Sequence, residues 1–207
     1  MIRIAVLVSG NGTNLQALID AQKTGCLRHG TVVLVLSDIQ HVPALKRAKD
    51  SNICAIAIDR RTLGREQFEK AALEILSRHC IDLVVLSGFI TILSDHFIRS
   101  YAERIINIHP SLIPSFCGKG YYGRRVHEAV LARGVKVSGA TVHLATSVAD
   151  DGPILEQGVV RVEDGDTPET LGKRIIEQVE WHILPEAVEE YCVKLEEKQA
   201  LKEVLGP

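Results

Sequence analysis

Asn107 and His109 stand two apart in the stretch Ile105-Ile106-Asn107-Ile108-His109-Pro110-Ser111, each between apolar neighbours. In a strand that alternation points both polar groups to one side. A side-chain amide can donate to a developing oxyanion; an imidazolium can do the same and also move a proton. Pro110 and Pro114 stiffen the chain just beyond the pair. A third group has to set the charge of His109, and Asp150-Asp151-Gly152-Pro153 offers two carboxylates. A carboxylate beside an imidazole favours the charged ring. The same four residues also make a good turn without any catalytic duty. His143 can face this site or be a satisfied core histidine, and His127 and His182 read as surface or packing residues. No histidine pair has metal-ligand spacing, so no metal is expected.

Ser9-Gly10-Asn11-Gly12-Thr13-Asn14 is the second chemical stretch. It lies between an apolar strand and a helical pattern, where free backbone N–H groups and the helix dipole suit a phosphate. Position 15 is leucine, so the third glycine of a dinucleotide fingerprint is missing, and no lysine completes a P-loop. The alternative is a tight turn with Thr13 or Asn14 as N-cap.

The elements that must carry these residues alternate in type. Apolar runs at 4–8, 32–36, 53–58, 83–86 and 105–108 read as strands. Helical patterns follow the first four: from about Leu15 to Gly25, 43–48, 65–79 and 95–101. This β-α alternation predicts a parallel sheet with helices on both faces, and ligands bind beyond the carboxyl ends of such strands. After Pro114 the pattern changes to a glycine-rich loop at 115–123, readable as a flexible lid, and a helix at 126–132. Strands at 135–144 and 154–162 then form an antiparallel addition, followed by a long helix at 168–191 and a charged helical tail at 194–204. No linker or repeat divides the 207 residues, which predicts a single domain.

Composition removes other classes. A net charge of −2 and 4% aromatic residues disfavour a nucleic-acid surface. No apolar run approaches the roughly 20 residues of a membrane span. The apolar run at 4–8 is too short for a signal-peptide core. Five scattered cysteines without a C-x-x-C pair fit reduced thiols in a cytoplasmic protein.

Four segments carry a family resemblance: Ser9 to Ala17, Val85-Leu86-Ser87-Gly88-Phe89, Ile106 to Pro114, and Gly139-Ala140-Thr141-Val142-His143 through to Ile154. On them the chain resembles the phosphoribosylglycinamide formyltransferases over about residues 1–190. The Asn-x-His-Pro-Ser-Leu-x-Pro motif is shared with other folate formyl-transfer enzymes. The resemblance implies a Rossmann-like, open, mostly parallel twisted sheet with helices on both faces and an antiparallel C-terminal addition, the formyltransferase fold. It implies formyl transfer from the co-substrate 10-formyltetrahydrofolate to the amine of 5'-phosphoribosylglycinamide, without a metal. Asn107, His109 and Asp150 match the catalytic trio. Gly12, Thr13, Asn14 and Leu15 match the substrate-phosphate loop, and Glu180 a ribonucleotide contact. Arg65, Ile90, Thr91, Ile92, Leu93 and Asn107 match folate-contacting positions. Residues 1–110 read as the phosphate and ribonucleotide half, and 111–207 as the folate-binding and C-terminal half. Expected partners are the two small molecules alone, with no nucleic acid or membrane, for a monomer or weak homodimer.

The chain departs from the family pattern at Ile90-Thr91, where Met-Arg is common, in the 115–123 loop, and at Asp151, where glycine is usual. Counting back from Gly152-Pro153 selects Asp150 over Asp151. Two related rivals need a further domain, N-terminal in the formyltetrahydrofolate deformylase and C-terminal in the formyltransferase of initiator methionyl-tRNA. A non-catalytic phosphoribosyl-binding module would not need Asn107, His109 and Asp150 together.

Overall fold

The computed structural model describes residues 1–205, with side chains through residue 201. The chain runs β1 (Ile2–Val8), α1 (Thr13–Thr24), β2 (Gly30–Ser37), α2 (Pro43–Asp50), β3 (Cys54–Ala57), α3 (Arg60–Arg78), β4 (Leu83–Leu86), α4 (Asp95–Ser100) and β5 (Ile105–His109). It continues as α5 (Arg124–Arg133), β6 (Val137–Leu144), β7 (Ile154–Arg161), α6 (Pro168–Ile175), a π-helical turn (Ile176–Glu180) and α7 (Trp181–Leu205). One seven-stranded sheet has the order β3-β2-β1-β4-β5-β6-β7. The pairs from β3 to β5 are parallel. The β5–β6 and β6–β7 pairs are antiparallel, as the pattern after Pro114 implied.

This order places a topological switch between β1 and β4: the chain winds outward to β2 and β3, then returns to β4 and β5. Ligands of open α/β sheets bind in the crevice at such a point. The loops leaving β1, β4 and β5 therefore border one crevice.

Alternating strand residues feed two cores. Val6, Val85, Ile106 and Ile108 pack with the faces of α1, α2, α5, α6 and α7. Leu7, Leu36, Val84 and Ile105 pack with Phe68 and Leu76 of α3 and Phe97 of α4. The helices thus cover both faces, and the strands are apolar nearly throughout because neither face meets water.

Several boundaries differ from the sequence expectation. α3 begins at Arg60 rather than at Arg65, because Asp59 caps it, accepting from Arg61 N at 3.0 Å and Thr62 N at 3.4 Å. Gly64, at φ 78°, breaks the helical path inside α3. The long helix after Pro168 is interrupted by the π turn, carries Pro185 inside α7 and runs on without a separate tail. β3 is only Cys54–Ala57, an edge strand paired with β2 alone. Among the described residues no helix is long and apolar enough to cross a membrane.

Candidate active site

β5 ends at His109, so Asn107 and His109 stand at the carboxyl end of a central strand, on the face of Ile105 by alternation. The antiparallel register sets Asn107 directly opposite His143 and His109 opposite Thr141. Directly opposed residues share a face and touch. Asn107 Nδ2 accordingly donates to His143 Nε2 at 3.0 Å. The other His143 nitrogen, Nδ1, lies 3.0 Å from the Leu144 carbonyl. A carbonyl only accepts, so Nδ1 carries the proton and Nε2 is left to accept from the amide. His143 therefore fixes which way Asn107 points. Its second amide N–H is directed at Asp150 Oδ1, 3.5 Å away.

His109 is held in the same manner. Its Nε2 donates to the Phe116 carbonyl at 2.9 Å, which turns Nδ1 toward Asp150 Oδ2 at 3.5 Å. Asp150 adopts a left-handed backbone, φ 57°, tolerable for aspartate, and this aims its carboxylate inward. Gly118 N donates to Oδ2 at 2.8 Å, and His143 Nε2 lies 3.6 Å from Oδ1. Burial raises the Asp150 pKa, but the imidazoles of His143 and His109, in their protonated forms, and the Gly118 N–H together outweigh it and hold the group below the usual carboxylate range. Asp151 is exposed and makes none of these contacts. The geometry thus gathers Asn107, His109 and Asp150 into one cluster, with His143 as a fourth member.

At the β1 exit, Gly12 takes φ 70° as N-cap of α1, and no side chain caps the helix. The alternative of a cap by Thr13 or Asn14 is not realised, and the amides of Thr13, Asn14 and Leu15 lack partners within α1. Asn14 is used elsewhere: its Nδ2 donates to Glu180 Oε2 at 2.6 Å, while its buried Oδ1 has no partner. Glu180 belongs to the π turn, a feature common at functional sites. Burial drives its carboxyl above the usual range, and the Asn14 bond only partly offsets this. Leu15 is wholly buried in the core, so only its backbone can serve a ligand.

The remaining candidates line the β4 exit. Leu86 pairs with Asn107, so the following loop starts beside the cluster. Ile90 and Ile92 are bare, 59% and 62% exposed, whereas Thr91 is tucked under and bonds Asp38 Oδ2 at 2.6 Å. Leu93 packs partly on the α3–α4 core. Arg65 pairs with Glu69 at 3.3 Å, and Glu69 accepts from Ser94 N and Oγ. Arg65 is thus one side chain removed from this loop. The two candidate groups do not sort by halves of the chain: Asn14 bonds Glu180, and the folate candidates all precede residue 110.

Reasoning from sequence left His143 open and missed Phe116, Gly118 and Asp38. Phe116 and Gly118 act through backbone atoms, which leave no side-chain signature. Asp38, immediately after β2, was readable from its strand-end position. His127 proves to be a packing residue, buried on α5 against Gly172. Cys117 lies in the 115–123 loop; burial and then the charges of Asp150 and Asp151 raise its pKa, which does not suit a nucleophile. All five cysteines are free.

A mostly parallel sheet with an amide, an imidazole and a carboxylate converging at the carboxyl end of β5, one strand beyond the β1–β4 switch, has the arrangement of a Rossmann-like enzyme. The family model described as formyl transferase matches residues 2–188. The phosphoribosylglycinamide formyltransferase of Escherichia coli is 38% identical over 179 residues, covering 84% of this chain and 80% of that protein. The trifunctional purine biosynthetic protein adenosine-3 of Gallus gallus is 39% identical over 91% of this chain, which spans only 18% of that longer protein. The crystal structure of glycinamide ribonucleotide transformylase 1 from Symbiobacterium toebii superposes with a TM-score of 0.88 at 39% identity, covering 94% of this chain and 89% of that one. The chain belongs to the formyl transferase family, among the phosphoribosylglycinamide formyltransferases.

Proposed function

We propose that this chain transfers the formyl group of 10-formyltetrahydrofolate to the amine of 5'-phosphoribosylglycinamide in de novo purine biosynthesis. The products are formylglycinamide ribonucleotide and tetrahydrofolate. The observation that carries the reading is the convergence of Asn107, His109 and Asp150 at the end of β5, in the same sheet whose β1 leads into an uncapped helix start. The neutral amine attacks the formyl carbon, and the carbonyl electrons move to oxygen. The Asn107 N–H and the Nδ1–H of a protonated His109, both held only loosely by Asp150 at 3.5 Å, turn to that O⁻ and stabilise it; removing one such donor typically costs about 10²–10³ in rate. Asp150 balances the imidazolium and accepts the proton shed by the new C–N bond. As the tetrahedral species collapses, the departing folate nitrogen receives a proton by the same route.

Gly12, Thr13, Asn14 and Leu15 hold the acceptor phosphate through backbone N–H groups, and Glu180 a ribose hydroxyl. The bare Ile90 and Ile92 with Leu93 form the folate-side wall, and Arg65 meets the acidic tail of the folate. Residues 1–207 act as a single formyltransferase domain, cytoplasmic, a monomer or weak homodimer, on these two small molecules with no metal, nucleic acid or membrane.

The test mixes purified protein with 10-formyl-dideazafolate, a chromogenic donor analogue, and the glycinamide ribonucleotide. An absorbance change that needs the acceptor is expected. A change without acceptor would make the protein a hydrolase, and no change with either would leave a binding module.

A further inference from the structure

The acceptor loop is gripped from behind by α2. Ala44 N donates to the Gly10 carbonyl at 3.2 Å, and Arg47 Nε donates to the Asn11 carbonyl at 2.9 Å. Arg47 Nη1 reaches on to Gln16 Oε1, in the first turn of α1, at 3.2 Å. Gly12 sits so close to α2 that a Cβ there would fall 2.6 Å from Ala44 Cβ and 2.9 Å from its Cα.

Two successive carbonyls are thereby turned toward α2. A peptide unit is planar and trans, so the N–H groups of Asn11 and Gly12 point the opposite way. They extend the row of free amides that opens α1. Arg47 is half-buried, and its described bonds go to a carbonyl and an amide, both neutral. Its charge is therefore not cancelled by those partners. A positive charge one peptide behind a set of N–H donors, partly screened from water, adds to their pull on an anion.

We infer that Arg47 is the positioning residue of the acceptor-phosphate site. It fixes the loop so that the amides face the ligand, and it supplies the positive charge that the loop itself lacks. The inference rests on the acceptor reading above and deepens it. It also fits the opening of α2 on Pro43 without a side-chain cap: Ala44 N in its first turn donates to the Gly10 carbonyl, and Gly12 packs against Ala44.

Ribose 5-phosphate binding by calorimetry tests this without any formyl transfer. Arg47→Met keeps the stem and removes the charge and donors. It should weaken binding about 10- to 100-fold, the size expected for losing a hydrogen bond from a charged group. Arg47→Lys should recover part of the loss. With both substrates present, kcat/KM of Arg47→Met should fall more for the ribonucleotide than for the phosphate-free glycinamide riboside, through KM rather than kcat. Equal ribose 5-phosphate affinity in wild type and Arg47→Met would overturn the assignment. So would equal losses on the two acceptors, which indicate a merely structural role, or absence of ribose 5-phosphate binding in the wild type. If binding behaves as expected but wild type transfers no formyl group, the proposed reaction fails and the role of Arg47 stands.

Discussion

Asp150 and Asp151 are adjacent and chemically identical, yet only Asp150 meets His109, His143 and the Gly118 amide. Asp150→Asn should therefore lower kcat by orders of magnitude with little change in either KM, and Asp151→Asn should cost far less; steady-state kinetics of the two purified variants decide. His143 holds Asn107 rather than touching the reacting atoms. His143→Ala frees the amide to turn its oxygen inward, which should lower kcat about 10- to 100-fold with acceptor KM nearly unchanged, since loss of an orienting partner costs on that scale. Glu180 behaves in the opposite sense to Asp150 with pH. Burial raises its folded pKa above the unfolded one, so ionisation opposes folding once pH exceeds the ordinary carboxylate range. Glu180→Gln should raise the melting temperature near neutral pH, lose that advantage in acid where both states are protonated, and weaken ribonucleotide binding. Asp150, with a lowered pKa, stabilises the fold above the ordinary range and loses that contribution as acid protonates it. Both tests are melting curves taken across pH.

At the scale of elements, two close approaches matter most. A Cβ on Gly139 would lie 1.9 Å from the Gly158 carbonyl, and one on Gly158 would lie 2.4 Å from Val179 Cγ1. The β6–β7 hairpin is thus pressed against its own partner and the π turn. Gly158→Ala should destabilise the protein by about 1–3 kcal/mol, as overpacking does. It should also disturb acceptor binding, because Val179 neighbours Glu180; thermal melting and acceptor KM check the two parts. The strand and helix order was legible in the sequence because each buried strand is a short apolar run and each helix has its own period. The starts of α3 and the π turn were not. An Asp59 cap followed by Gly64 looks like a loop, and a π turn has no distinct period over five residues.

Across the whole molecule, two cores lie on opposite faces of one sheet, so both depend on the same seven strands. Phe68 is completely buried on the α3–α4 face, far from Trp181 on α7 in sequence. Phe68→Ala should cost about 3–5 kcal/mol. Denaturation followed by circular dichroism and by Trp181 fluorescence should still give coincident transitions if the sheet unfolds as one unit. Separate transitions would show that the two faces are independent.

The sequence by itself determined the class of the fold, the strand-end placement of Asn107 and His109, and the glycine turn after β1. Those follow from local periodicity and from chain positions that any parallel sheet puts at one edge. Only the tertiary structure decided that His143 faces Asn107, how the backbone of Asp150 brings in the carboxylate that counting from Gly152-Pro153 selects, and that Glu180 reaches Asn14 from the far end of the chain. Each of these depends on register, on one left-handed residue, or on a packing across 166 positions of sequence. Such relations are set by how whole elements meet, and no local pattern of residues encodes them.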